Sequence, residues 1–325
     1  MFRLPLALVS ALLFAVSFAR ADPSIWRAQG WKTDFSKTSI NLSEVLSGGQ
    51  TKDGIPPIDN PKFIEVSAVS DLGEREPVIG LEINGDARAY PLRVMTWHEI
   101  VNDRVGGVPV AVTYCPLCNS AVVFDARIDG RALSFGTTGK LRHSDLVMYD
   151  RSTESWWQQF VGEGIAGTYT GRKLKLVAAR LESWTDFRTR HPDGKVLVAN
   201  NPWMRNYGRN PYVNYDISRP SYFYTGSMPE GISPMARVVV VRRESKPPIV
   251  IALQKLRDSK TMVRDGIKIG WKVGQNSALH ASVIAEGRDV GSVSVSDATS
   301  GRDLVYDVTF AFVAHAFHPE TTIEK

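Results

Sequence analysis

Short runs of β-forming residues, each closed by a turn dipeptide, most limit what this chain can fold into. In VIGLEINGDARAYPL (residues 78–92) two apolar runs flank Asn84-Gly85, the two-residue signal of a tight hairpin. The pattern recurs in AVVFDARIDGRALSFG (121–136), with Asp129-Gly130 at its turn. VPVAVTY (108–114) is a nearly unbroken strand former, and 146–160 and 171–179 continue in short segments. Strands return in ARVVVVRR (236–243), PPIVIALQKL (247–256) and LVYDVTFAFVAHAF (304–317). ESWTDFRTRHPDG (182–194) reads as a short helix that Ser183 caps and His191-Pro192 ends. These signals predict a mostly β, β-rich α+β fold with a few short helices.

Residues 63–200 form one β-rich unit on this reading and 236–325 a second packed on it. Residues 201–235 join them as an aromatic- and proline-rich linker that packs Tyr and Trp on a surface. Residues 22–62, rich in Gly and Pro, read as an ordered arm or loop rather than a packed element. The two units align weakly. Residues 91–95 fall on 252–256 and, after one gap, 100–103 on 262–265, which places Ser277 and His280 opposite Cys115 and Cys118.

The N-terminus has the form of a secretory leader: Arg3, an apolar run over 4–18, then Ala19-Arg20-Ala21 as a cleavage site. That predicts a signal peptide over 1–21 and a periplasmic or secreted protein with no transmembrane span after cleavage. Removing Arg3 and Arg20 lowers the formal charge from +5 to +3, with no basic run, so nothing points to nucleic acid. With 325 residues the chain buries enough core to be stable without disulfides.

Both cysteines lie in VTYCPLCNSA (112–121). Two thiols on one turn can grip a metal ion or close a small disulfide ring. Asn119 follows the motif where c-type haem attachment needs His, and no second pair exists for a four-cysteine zinc site. Cys-Pro-x-Cys after an apolar strand resembles the motif of thiol–disulfide oxidoreductases. The strand and hairpin that follow Cys118 differ from the helix those folds place there.

A metal site needs further ligands, and His98, then His143, are the candidates, with Met95 and Met148 as soft donors. His98-Glu99 begins the H-E-x-x-H pattern, but Asn102 stands where the second His belongs. Glu99 or Asp150 would orient the His98 imidazole from behind. Otherwise Asp145 and Asp150 read as solvated or turn residues flanking a strand. Trp157 and Gln158 line a pocket or join the core, and His315 and His318 end a strand. Three functions stay open: a copper or zinc site; a thiol–disulfide protein with Cys115 attacking and Cys118 resolving; a non-enzymatic envelope binding protein with a structural disulfide.

The blocks MTWHEIVNDRVGGVPVAVTYCPLCNSAVVFD, LRHSDLVMYDRSTESWWQQFVGEGIAG, SWTDFRTRHPDGKVL and FAFVAHAFHPET together resemble the domain of unknown function 3179 family of bacterial exported proteins. The likeness runs from about Val78 to the C-terminus. It implies that His98, Glu99, Asn102, Asp103, Cys115, Cys118, Ser144, Asp150, Trp157 and Gln158 fall in family motif blocks. A shared cleft is the expectation for those blocks. The resemblance implies no metal, substrate or activity.

Overall fold

The computed structural model describes residues 22–219 and 223–325, so the expected leader over 1–21 lies outside the described residues. The described chain is mostly β: six sheets, with helices of six or seven residues between them. Turn chemistry explains why so many short strands pair locally. Asn84-Gly85 and Asp129-Gly130 both have positive φ at both positions, the conformation that matches the twist of a two-residue hairpin. Gly106-Gly107, His143-Ser144 and Asp265-Gly266 do the same. His143-Ser144 carries no glycine and was not legible as a turn from its residue types.

Two copies of one arrangement organise the chain. In the first, the hairpin Pro77–Ile83/Asp86–Pro91 runs into helix Leu92–His98, then hairpin Ile100–Val105/Val108–Cys115 and strand Ser120–Asp125. In the second, Arg237–Val241/Ile249–Ala252 runs into helix Leu253–Ser259, then Thr261–Arg264/Ile267–Lys272 and Ser292–Asp297. Both copies close alike. Strand Arg180–Ser183 leads to helix Trp184–Arg190 and a strand parallel to Asp86–Pro91. Strand Tyr306–Phe310 leads to helix Ala311–Phe317 and a strand parallel to Ile249–Ala252. Ser183 caps its helix by accepting from the Asp186 N–H, as its sequence suggests.

Backbone details fix the equivalence. The first helix stops at Glu99, φ 59°, whose N–H donates to Met95 O and whose carbonyl accepts from Tyr114 N–H. The second stops at Lys260, φ 61°, bonded in the same way to Leu256 O and Trp271 N–H. Tyr114 therefore corresponds to Trp271, and Cys115 to Lys272. The sequence alignment that put Ser277 opposite Cys115 is wrong beyond the helix, because the second hairpin is shorter. The next connection differs most: residues 116–119 in the first copy, 273–291 in the second.

The first copy carries a large insertion whose four strands join Val45–Ser47 in a five-stranded sheet, in the order Val45–Ser47, Phe135–Arg142, Asp145–Asp150, Trp156–Gln158, Glu163–Ala166. Residues 22–62, expected to be an arm or loop rather than a packed element, pack for most of their length on this body, while Ile58 pairs beside Val101 and Lys62 begins a strand of another sheet. Asp22 caps helix Pro23–Ala28, and Trp26, Trp31 and Phe35 bury themselves around Trp156. The apolar area gained there overrides the local Gly and Pro signals. Trp157 faces the opposite side, buried with Cys115, Cys118 and Met148 in a second cluster.

Segment 201–235 touches both copies. Tyr215 Oη donates to Leu117 O at 3.0 Å, and Asn214 N–H to His280 O at 2.8 Å. Asp216 is fully buried and accepts from Arg237 (2.9 Å), Arg288 (3.1 Å) and Ser277 Oγ (2.6 Å). Burial alone would raise its pKa, but Arg237 and the Ser277 hydroxyl hold the carboxyl below its usual range. Asp216→Asn should cost about 3–5 kcal/mol, since it leaves the Arg237 guanidinium buried without its counter-charge. Urea unfolding of the variant checks this, and a loss below roughly 1 kcal/mol would remove Asp216 as the linker's anchor.

Candidate functional site

The strand from Val110 to Cys115 is buried on both faces, which its run of β-formers allows, and it carries Cys115 into the interior. Pro116 begins one turn of 3-10 helix, Pro116–Cys118, which turns Cys118 back beside Cys115. Asn119 ends the turn in the left-handed region, φ 51° and ψ 38°, a conformation Asn tolerates. Its amide donates to Val308 O at 3.0 Å, and Thr309 Oγ1 donates to Cys118 O at 2.7 Å. A strand of the second copy therefore grips the cysteine loop from outside.

The inserted sheet meets the loop from the other side. Its turn His143-Ser144 (φ 55° and 64°) is buried at Ser144 and aims that residue's carbonyl at both thiols, 3.7 Å from Cys115 Sγ and 3.5 Å from Cys118 Sγ. Asp145 comes next and is fully buried. Its Oδ2 accepts from Gln158 Nε2 at 2.6 Å and from the Phe160 N–H at 2.8 Å. Its Oδ1 is buried without a hydrogen bond. Cys115, Cys118 and Asp145 each offer a ligand atom within 4.8 Å of the others.

Electrostatics at this point run in one direction. Burial pushes the Asp145 carboxyl up to about 6, the Cys115 thiol above its usual value, and the Cys118 thiol well above it. Glu99 rises to about 8, through burial and then through the charge of Asp145. A cavity of about 330 Å³ adjoins the cluster and is lined by Glu99, Leu117, Lys140, Leu146 and Tyr212. Leu117 lies between the two cysteines in sequence and Leu146 follows Asp145, so the cavity wall and the thiol cluster share these short segments.

The residues singled out by sequence divide. Glu99, Cys115, Cys118 and Ser144 converge here, and Gln158 holds Asp145. His98 does not join them: Nδ1 bonds with Pro56 O and Nε2 with Tyr207 Oη, both at 2.7 Å, and the ring stacks on Tyr207. His143 is also outside the cluster. Its Nε2 lies 3.5 Å from Glu44, its ring sits between Tyr224 and Phe317, and burial pushes its pKa down to about 4. Asn102 ties Asp59 to Phe135, and Asp103 pairs with Arg88 and Tyr90. Asp150 accepts from Thr153 N–H and Trp157 Nε1, so that pair braces a turn and the core rather than a pocket. The motif blocks therefore do not all share one cleft.

Sequence suggests a solvated or turn role for Asp145, and the structure instead buries it beside the thiols. Its one sequence signal is its position, heading the wholly apolar run Leu146–Tyr149 directly after a polar turn. Lys140 was missed entirely.

The raised carboxyls make stability depend on pH. Both groups bind their protons more tightly folded than unfolded, so their contribution is full below the ordinary 3.8 and 4.5. It is lost as pH rises through about 6 for Asp145 and about 8 for Glu99. Ionising Glu99 in the fold should cost on the order of 3–5 kcal/mol. Urea unfolding of metal-free protein at a series of pH values should therefore show stability falling toward pH 8, with Glu99→Gln removing most of the fall above pH 6. A Glu99→Gln protein with the parent's slope would exclude Glu99 as its source.

The family model described as Protein of unknown function (DUF3179) matches residues 52–321, a span holding both copies except the last strand of the second, four strands of the inserted sheet and every residue of the cluster. No curated protein and no solved structure matches the chain. With most of its length in the match, the chain belongs to the DUF3179 family, as its motif blocks suggested.

Proposed function

We propose that this is an exported metal-binding protein whose centre is formed by Cys115, Cys118 and Asp145. The observation that carries the reading is the convergence of Cys115, Cys118 and Asp145, each offering a ligand atom within 4.8 Å of the others, with Asp145 Oδ1 buried and without a hydrogen bond among the described residues. A buried acceptor left unpaired costs about 1–3 kcal/mol. A cation there would satisfy it and favour the charged forms of all three groups, which burial disfavours. Gln158 and the Phe160 N–H fix the other oxygen, as outer partners of metal-binding carboxylates do. Two thiolates suit zinc or copper, and the harder carboxylate favours zinc.

Export is supported by the leader-like residues 1–21. Among the described residues no helix is long and apolar enough to cross a membrane. The thiol–disulfide alternative finds less support. The two sulfurs are unbonded and buried, and burial raises their pKa, whereas an attacking thiolate needs a lowered one. A rigidifying disulfide is likewise not formed here.

Elemental analysis of protein purified without affinity metals should find one equivalent of zinc or copper per chain. Cys115→Ser, Cys118→Ser and Asp145→Asn should each lose most of it. His98→Ala and His143→Ala should keep it, and Gln158→Leu should bind about 10–100-fold more weakly. Metal content unchanged in Asp145→Asn would end the proposal. Binding should also tighten as pH rises, because each ligand must shed a proton. For export, intact mass of the mature protein should correspond to a chain beginning at Asp22, and retention of residues 1–21 would overturn that part.

A further inference from the structure

We infer that the cavity beside the thiols binds a small organic carboxylate, with Lys140 as its counter-ion. Lys140 is 4% exposed and lines this cavity, and its ammonium makes no hydrogen bond or ion pair with any described residue. A buried cation without a partner is costly, and proteins otherwise pair such groups. Other part-buried cations of this chain follow that rule: Lys52 has Glu154, Arg242 has Asp307 and Arg237 has Asp216.

The backbone at Lys140 is built rather than incidental. The pairing register shifts between Thr137 and Lys140, so a bulge carries the residue. Gly139 in that bulge has φ 69°, and a Cβ there would lie 2.1 Å from Gln50 O, so only glycine fits. Thr138 Oγ1 accepts the Lys140 N–H at 2.9 Å and donates to Val147 O at 2.5 Å, which locks the bulge to the neighbouring strand.

The remaining wall sets the ligand class. Ile55, Leu117, Leu141, Leu146 and Tyr212 supply an apolar surface, and about 330 Å³ suits a small molecule rather than a polymer. Glu99, 7% exposed and also without a side-chain hydrogen bond or ion pair to any described residue, lines the same space but makes no ion pair with Lys140. One cation beside an acid disfavours phosphates and dicarboxylates, which would bring a second negative charge. A monocarboxylate with a hydrocarbon or aromatic body fits all of these features. This reading does not require the metal.

Calorimetric titration of the mature full chain with benzoate, hexanoate and the neutral benzamide tests it. Benzoate and hexanoate should saturate one site per chain, and benzamide should bind at least tenfold more weakly. Lys140→Met should weaken benzoate at least tenfold, leave benzamide unchanged and not lower the melting temperature, since it removes an unpaired buried charge. Ile55→Trp, which fills the cavity from the N-terminal segment, should abolish binding of all three. Cys115→Ser should retain benzoate binding, so this inference and the metal site fail separately. No saturable carboxylate binding, equal affinity for benzoate and benzamide, or a Lys140→Met protein that binds benzoate as the parent does would each overturn it.

Discussion

Two thiols and two carboxyls are largely withdrawn from water, at the place where three parts of the chain meet. That desolvation governs much of the surrounding geometry. Cys115, Cys118, Asp145 and Glu99 are all driven toward their neutral forms by the same cause. The backbone around them is held in an uncommon state as well. Glu99, Asn119, His143 and Ser144 all have positive φ without being glycine, and each such position costs roughly 1–3 kcal/mol. The strain persists because Glu99, Asn119 and Ser144 are each held from outside. Tyr114 N–H holds the Glu99 carbonyl, Val308 O holds the Asn119 amide, and the thiols face the Ser144 carbonyl.

How far the sequence reached follows from which interactions are local. Asn84-Gly85, Asp129-Gly130 and Ser183 were legible because a hairpin turn or a helix cap is settled within four residues. The vicinal cysteines were legible because their chemistry depends on their own spacing. Asp145 was not, because its burial comes from Cys118, Gln158 and Phe160, none of them within ten residues. His98 shows the converse. Next to Glu99 it looked like a free imidazole, but Pro56 and Tyr207, 42 and 109 positions away, occupy both its nitrogens. The N-terminal arm failed for a related reason: Trp26 and Trp31 have their partner at Trp156, and no nearby residue announces it.

The internal repeat explains why one site exists rather than two. Up to the end of the second hairpin the copies match closely, even to the left-handed residue that ends the helix. They then part at two places. The first copy joins its strands through 116–119 and carries an insertion between Ser120–Asp125 and Arg180–Ser183. The second joins the matching strands through 273–291 and reaches Tyr306–Phe310 through only 298–305. These differences are coupled. A four-residue connection leaves an open end on the sheet, and the inserted hairpin turn at His143-Ser144 fills it, bringing Asp145 to the thiols. In the second copy no hairpin is inserted, and residues of the long connection, among them Asn276, Ser277 and Leu279, are themselves buried. The cysteines and the carboxyl therefore arise as one unit: a short loop without the insertion would expose its thiols, and the insertion without a short loop would have nothing to close against.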